Sequence, residues 1–272
     1  MINEKSFNTG TIAINYAQDS SSGPPLVFLH GISGWWQSWI PVMPAFSMRW
    51  HIYALDFRGH GKSDRVANGY RWDSYVQDTI SFLKERVEEP VILVAHSMGA
   101  MVTLKIASQI PESVRAIVLE DPPLSICCGS RRREKPKHDV FVAWRDLGRT
   151  EYTPEKWLPV LAEISPDDDD ITLQIRAKTL SMLDPEVLTQ AIDGTATENF
   201  IAEMDVERIT CPSLLFRGDP ALGGVIGDEE IEWFKSVLPG CLVVSVPGVG
   251  HNIHTQKPEE FSRVAAMFLE TL

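Results

Sequence analysis

Residues 94–101 read Val-Ala-His-Ser-Met-Gly-Ala-Met (VAHSMGAM). An apolar run leads into this stretch and an amphipathic segment begins at Met98, so Ser97 is predicted to lie in a turn between a buried strand and a helix. Strand and helix cross closely at such a turn, which requires small residues two positions before and after the serine. Gly99 meets this requirement, and Ala95 adds only a methyl group. Ser97 is therefore a candidate nucleophile, with an ordinary helix N-cap as the alternative.

Short apolar runs recur along the chain, and each is bounded by turn residues. Most are continuous rather than alternating, which is typical of strands buried on both faces of a parallel sheet. Amphipathic segments of helical length lie between them, so the predicted class is α/β, with a mainly parallel twisted sheet flanked by helices. The predicted strands are 11–16, 26–29, 51–55, 91–95, 116–119, 213–216 and 242–246, and the predicted helices of this framework are 72–87, 98–109, 229–237 and 259–272.

The interval 122–210 breaks this alternation. It holds no convincing strand, but it contains helical stretches predicted over 140–147, 155–164, 171–182 and 185–192. We therefore divide the chain into a core domain, residues 1–121 and 211–272, and a helical cap, or lid, of residues 122–210, inserted after the strand that ends near Leu119. An insertion at the carboxyl end of such a strand lies where open α/β sheets bind ligands.

Composition limits the classes of function. The 272 residues carry a formal net charge of −12, which argues against nucleic-acid binding because phosphates require a basic face. The apolar runs are too short to cross a bilayer, and the N-terminus lacks the basic start and apolar stretch of a signal peptide. The four cysteines, at positions 127, 128, 211 and 241, do not form a disulfide framework and predict free thiols. We expect a soluble cytoplasmic protein with no membrane or nucleic-acid partner; the sequence does not indicate its oligomeric state.

Three further motifs accompany the serine turn: FLHGISG (28–34), LDFRGHGKSD (55–64) and PGVGHNIH (247–254). Together with AHSMGA, and in this order, they resemble the α/β-hydrolase family, in the capped branch of esterases and C–C hydrolases. The resemblance extends from about residue 11 to about residue 271 and is weakest in the insertion. It implies the α/β-hydrolase fold with a helical cap.

The resemblance implies roles for individual residues. Ser97 matches the nucleophile, and His251 matches the general base that accepts its proton. The backbone N–H groups of Ile32 and Met98 match the two donors of an oxyanion hole. Backbone donors suit this task because rigid dipoles need no reorganisation as negative charge develops.

Two tryptophans follow the oxyanion loop. Trp35 and Trp36 are candidates for contact with the substrate, and packing of the local helix against the sheet is the alternative. No glycine-rich motif for a phosphate or a dinucleotide lies at a strand–helix turn, and no metal-ligand spacing occurs. We therefore expect neither a cofactor nor a metal.

The base needs a carboxylate to fix its tautomer. In most family members this acid lies in a G-x-x-D pattern after the strand that follows the cap, but the corresponding residue here is Ala221. Glu120 is the favoured acid, because some relatives take it from the end of the strand after the serine's helix and the additional methylene extends its reach. Asp219 is the main alternative, and Asp121 is a third.

These residues predict a serine hydrolase that cleaves a carboxylic ester or lactone of a small-to-medium, largely apolar substrate. C–C bond hydrolysis and cofactor-free perhydrolysis by the same triad are alternatives, because the fold does not fix the reaction. A small-molecule receptor with weak hydrolysis is the alternative from a different class. Dehalogenation and epoxide hydrolysis are disfavoured, because both need a carboxylate at the position of Ser97.

Overall fold

An eight-stranded sheet lies at the centre of the computed structural model, which describes residues 2–126, 138–150, 153–165, 168–198, 200, 206–238 and 240–272. The strands are β1 (Asn3–Asn8), β2 (Ala13–Gln18), β3 (Pro25–Leu29), β4 (His51–Leu55), β5 (Val91–His96), β6 (Val114–Glu120), β7 (Ser213–Arg217) and β8 (Leu242–Ser245). Their order is β1-β2-β4-β3-β5-β6-β7-β8. The pairs β1–β2 and β2–β4 are antiparallel and the remaining pairs are parallel, which confirms the predicted fold class.

The α-helices of the described ranges are α1 (Trp72–Phe82), α2 (Met98–Gln109), α3 (His138–Thr150), α4 (Pro154–Ile164), α5 (Asp170–Ser181), α6 (Pro185–Asp193), α7 (Asp228–Val237), α8 (Ile253–Gln256) and α9 (Pro258–Leu269). They either flank this sheet or, for α3–α6, lie in the segment between β6 and β7. None of the helices in the described ranges combines the length and apolarity needed to cross a bilayer. β1 lies outside the predicted strands, because its sequence NEKSFN is mostly exposed and contains no apolar run.

The inner strands of the sheet are largely buried, and each face of the sheet has its own apolar layer. Side chains alternate along a strand, so Val27 and Leu29 of β3 enter the layer beneath α1 and α2, whereas Phe28 enters the opposite layer with Trp39 and α9. Burial on both sides explains why these strands read as continuous apolar runs. The parallel strands end at one edge of the sheet, where the motif residues meet.

Helices α3–α6 follow β6 and precede β7 in the chain. Polar contacts at the start of α6 attach this segment to the core. The Tyr70 hydroxyl donates to Asp184 Oδ2 at 2.5 Å, and the Asp184 N–H donates to the Gly59 carbonyl at 2.7 Å. Gly59 has a φ of 74°, and a Cβ added there would lie 2.8 Å from Val187 of α6. This position therefore requires glycine both for its backbone conformation and for the close approach of α6.

Two of the four cysteines lie in the described part of the chain. Cys211 and Cys241 are free thiols, as predicted. Burial raises the pKa of Cys211 to about 11 and that of Cys241 to about 12, so both are protonated near neutral pH. The prediction for Cys127 and Cys128 falls outside the described residues.

Candidate active site

Ser97 lies in a sharp turn between β5 and α2. Its φ of 53° and ψ of −118° form a strained conformation that residues other than glycine rarely adopt. A Cβ added at Gly99 would lie 2.5 Å from the Leu29 carbonyl oxygen, so the helix needs glycine to pass β3. Ala95 is fully buried beside the same strand, and its methyl group is accommodated.

The turn presents Ser97 to a histidine and a carboxylate. The Ser97 hydroxyl donates to His251 Nε2, with 2.8 Å between the heavy atoms. His251 Nδ1–H donates to Asp121 Oδ2 at 2.7 Å. Ser97 and Asp121 are buried, whereas the His251 side chain is 14% exposed. The sequence-predicted pair Ser97 and His251 therefore meets, and the carboxylate beside it is Asp121.

The prediction of Glu120 as this carboxylate is wrong. Glu120 Oε1 accepts the backbone N–H of His254 at 2.9 Å, and Oε2 accepts His254 Nδ1–H at 2.7 Å. Successive side chains point to opposite faces of a strand, so the last residue of β6 and the next one reach different histidines. The alternative Asp219 does not contact His251 either, because its carboxylate accepts the N–H of Ala221 in a short turn.

Asp121 is held by the loop after β7. Its Oδ1 accepts the Gly218 N–H at 3.2 Å, and its Oδ2 accepts the Val225 N–H at 2.8 Å. Its own N–H donates to the carbonyl of Phe216 in β7. With His251, these donors satisfy a carboxylate that no solvent reaches. The usual acid-bearing loop therefore supplies backbone N–H groups here.

The predicted oxyanion donors lie next to the serine. Met98 is the first residue of α2, so its N–H has no partner within the helix. The Gly31 carbonyl accepts from Gly34 N–H at 2.9 Å and from His30 Nδ1–H at 2.7 Å. The N–H and C=O of a trans peptide point in opposite directions. Because the Gly31 carbonyl points toward Gly34 and the His30 ring, the Ile32 N–H of the same peptide points away from them. A Cβ added at Gly31 would lie 3.1 Å from Ser97 Cβ, so this loop lies against Ser97.

The loop after β4 supports the oxyanion loop from behind. The buried His60 ring lies between the carbonyl oxygens of Arg58 and Ile32, at 2.9 and 2.8 Å from its two nitrogens. Burial lowers the pKa of His60. Arg58 in turn donates two bonds to Asp78, and Asp56 accepts the backbone N–H of Trp36. These side chains hold the loops around the site in place by hydrogen bonds.

Trp36, the other tryptophan predicted to contact substrate, lies in a packing position in the structure. Its side chain is buried in the apolar layer that contains Trp39 and Phe46. Its indole N–H donates to Glu4 Oε1 of β1 at 2.7 Å. The packing alternative therefore describes Trp36, because the one polar atom of the ring is satisfied on the side of the β1–β2 hairpin. Trp35 is half-buried and remains a candidate for substrate contact.

The arrangement is suited to proton transfer. A carboxylate at Nδ1 keeps the proton of a neutral imidazole on that nitrogen, so Nε2 is free to accept the serine proton. It also stabilises the imidazolium that results. Within the described ranges, no three His, Cys, Asp or Glu side chains are grouped to hold a metal ion.

Known proteins resemble this chain over most of its length. The family model described as "Alpha/beta hydrolase family" matches residues 26–264. The 2-(acetamidomethylene)succinate hydrolase of Mesorhizobium japonicum is 27% identical over 274 residues, covering 96% of this chain and 93% of that protein. A putative esterase/lipase of Haemophilus influenzae is 24% identical, covering 90% of this chain and 83% of that protein. The crystal structure of an E-2-(acetamidomethylene)succinate hydrolase superposes with a TM-score of 0.81 at 23% identity, covering 99% of this chain and 100% of that one.

Proposed function

The chain belongs to the alpha/beta hydrolase family, and we propose that it is a serine hydrolase that cleaves a carboxylic ester or lactone. The observation that carries the proposal is the continuous row from Asp121 through His251 to Ser97, joined by hydrogen bonds of 2.7 and 2.8 Å. A serine hydroxyl is a weak nucleophile until a base accepts its proton, and His251 Nε2 lies within reach of that proton.

In the first half of the reaction, Ser97 Oγ attacks the substrate carbonyl carbon while its proton moves to His251 Nε2. The carbonyl oxygen becomes an oxyanion, which the N–H groups of Ile32 and Met98 stabilise. When the tetrahedral intermediate collapses, the bond to the leaving oxygen breaks and His251 returns the proton to that oxygen. Asp121 stays ionised and stabilises the imidazolium during both transfers.

In the second half, water attacks the acyl group on Ser97. His251 Nε2 accepts one proton of this water, and the same two N–H groups hold the second oxyanion. Collapse then breaks the bond to Ser97 Oγ, which takes the proton back from His251. The products are a carboxylic acid and an alcohol, which in a lactone are the two ends of one molecule.

Helices α3–α6, within residues 122–210, form the proposed cap over this site. Their position after β6 and the apolar contacts of α4 support this role, since Trp157 and Leu161 belong to the same apolar layer as Met98. A cap of this composition favours a small-to-medium, largely apolar substrate and excludes bulk water from the acyl-enzyme. The serine at position 97 argues against dehalogenation and epoxide opening, which need a carboxylate there.

A second candidate substrate is an acylamino carboxylate. The relative from Mesorhizobium japonicum, which matches 96% of this chain, is named for a succinate that carries an acetamidomethylene group. The same row of residues can cleave an amide, because His251 can protonate the leaving nitrogen. Parallel assays with a short-chain p-nitrophenyl ester, a γ-lactone and 2-(acetamidomethylene)succinate separate the candidates by their kcat/KM values.

The experiment that tests the proposal is Ser97→Ala. We expect loss of at least about 10⁴-fold in turnover of a p-nitrophenyl ester and complete loss of labelling by a fluorophosphonate probe, because the residues of a triad act as a unit. Ser236→Ala, at an exposed serine of α7, is the matched control and should keep full activity. Turnover retained in Ser97→Ala refutes the proposal. Tight binding of a small ligand to a wild-type protein that is never labelled favours the receptor alternative.

A further inference from the structure

We propose that Glu120 and His254 form a positioning pair that fixes the loop carrying His251. The inference rests on the proposed function, since it concerns the placement of the general base. Neither residue touches the reacting atoms. Their effect on the reaction acts entirely through the backbone that joins His254 to His251.

The Glu120 carboxylate is a cross-chain cap for α8. Asn252 occupies the N-cap position of this short helix, but its side chain makes no capping bond. Glu120 Oε1 instead accepts the N–H of His254, the second residue of α8, at 2.9 Å. One of the helix's free N–H groups is thereby satisfied by a strand more than a hundred residues earlier in the chain. The start of α8 is therefore attached to the end of β6.

The same carboxylate also fixes the His254 ring. Glu120 Oε2 accepts His254 Nδ1–H at 2.7 Å, and the ring stacks on Trp39 with 4.2 Å between centroids. Glu120, His254 and Trp39 are all buried. In the described part of the chain, His254 Nε2 meets no hydrogen-bond partner, so this ring does not extend a proton path to the serine. Its contacts hold position and carry no chemistry.

His251 lies only three residues before this anchored turn. Ile253, between the two histidines, is fully buried. The other side of the loop is held where Asp219 N–H donates to the Val249 carbonyl at 2.7 Å, and His96 Nε2–H donates to the His251 carbonyl at 2.9 Å. The Glu120–His254 pair supplies a further restraint, on the side of α8.

Glu120 has a second connection to the reaction through its backbone. Its carbonyl oxygen accepts the Ser97 N–H at 2.9 Å, in line with the pairing of β5 and β6. One residue thus holds the nucleophile's backbone by its carbonyl and the base's loop by its side chain. A change confined to the Glu120 side chain releases only the second restraint, which makes the inference testable.

The test is Glu120→Gln, compared with Glu230→Gln. Glu230 is a matched control, because it is a buried glutamate whose Oε2 accepts the Gly227 N–H at the start of α7, and its carboxylate makes no hydrogen bond to the loop that carries His251 among the contacts of the described residues. We expect Glu120→Gln to lower kcat by about 10- to 100-fold with KM changed less than about threefold, since small displacements of a catalytic group carry costs of this size. Glu230→Gln should lower the thermal midpoint comparably and leave kcat within about twofold.

Glu120→Asp serves as a second variant if Glu120→Gln does not fold. It keeps the charge and withdraws the carboxylate by one methylene, so the same loss of kcat is expected. A wild-type kcat in a folded Glu120 variant, or an equal loss of kcat in Glu230→Gln, overturns the inference.

A measurement without substrate separates this inference from the proposed function. The proton on His251 Nδ1 gives a downfield NMR resonance, which His251→Gln identifies by its loss. We expect Glu120→Gln to shift or broaden this resonance, and an unchanged resonance contradicts the inference. Failure of the proposed function would appear elsewhere, as a wild-type Ser97 that no fluorophosphonate labels.

Discussion

Two histidine–carboxylate pairs lie side by side at the end of β6. Asp121 accepts His251 Nδ1–H and Glu120 accepts His254 Nδ1–H, and both bonds measure 2.7 Å. The pairs differ at the other ring nitrogen. His251 Nε2 faces the Ser97 hydroxyl, whereas His254 Nε2 is buried without a hydrogen-bond partner in the described part of the chain.

Pairing with a carboxylate therefore does not by itself place a histidine where it can act as a general base. The carboxylate selects the tautomer in both pairs, but only one ring directs its free nitrogen at a group that can lose a proton. In the other pair the ring face is covered by Trp39, and the bond serves to hold backbone. Three predictions test how far the two pairs differ.

The largest expected effect is that of Asp121→Asn. The amide keeps the shape of the carboxylate but no longer selects the productive tautomer of His251, so we expect kcat to fall by about 10³- to 10⁴-fold. Steady-state kinetics on the p-nitrophenyl ester measure this loss. Asp219→Asn is the control at the loop that carries the acid in most family members, and it should stay within about threefold of wild type. A large loss in Asp219→Asn with activity retained in Asp121→Asn would reverse the assignment of the acid.

The second prediction concerns stability. His254→Phe keeps a ring against Trp39 but leaves the Glu120 carboxylate without its side-chain partner, so we expect a loss of about 3–5 kcal/mol in the free energy of unfolding. His251→Phe should lose less stability, because the His251 ring is partly exposed. It should lose all activity, because the proposed general base is removed. Urea unfolding measures both. Adding Glu120→Leu to His254→Phe should restore part of the lost stability, because the unpartnered carboxylate is removed. A further loss of stability in the double variant would contradict this explanation.

The smallest expected effect concerns His30, a buried histidine that, unlike His251 and His254, is not paired with a carboxylate. His30 Nδ1–H donates to Gly31 O, and His30 Nε2 accepts the Phe57 N–H, so the ring is held neutral. Burial lowers the pKa of His30 well below 6.5. Below about pH 6.5 the unfolded chain therefore binds a proton that the folded chain does not, and stability falls as the pH decreases.

His30→Gln removes this titrating group and should flatten the dependence of stability on pH. Urea unfolding between pH 7 and pH 5 should show a slope reduced by up to one proton, or about 1.4 kcal/mol per pH unit. An unchanged slope would show that His30 does not contribute. The lowered pKa of His60 should preserve part of the slope in this variant.

Much of this fold can be predicted from local patterns in the sequence. The apolar runs predict seven of the eight strands, and they are continuous in the inner strands because burial on both faces leaves no alternation. β1 is not predicted, because its pairing with β2 uses backbone groups and its side chains are exposed. Ser97 and His251 are found by their motifs, because a strained turn and a tight loop each require glycines at fixed positions.

The sequence does not identify which carboxylate pairs with His251, because the answer depends on the face of β6 to which each side chain points. Glu120 and Asp121 are adjacent, and a shift of one residue directs a side chain to the opposite face. Asp121 has a φ of 44°, which turns it out of the strand toward His251. The competing histidines are three residues apart, so either acid can be paired with either ring until the strand end is known. A neighbouring acid pair followed by two nearby histidines is the signal for this arrangement.

The loop after β7 has a different set of constraints, because the carboxylate that accepts His251 Nδ1–H comes directly after β6. It contributes the N–H groups of Gly218 and Val225 to Asp121, and every residue except proline has such a group. The side chains of this loop are therefore not needed to bind Asp121. Its backbone is still sterically restricted at Gly218, where an added Cβ would lie 2.2 Å from the Gly250 oxygen. Substitutions of its side chains should therefore leave the hydrogen bonds from Asp121 through His251 to Ser97 intact, provided that Gly218 is kept.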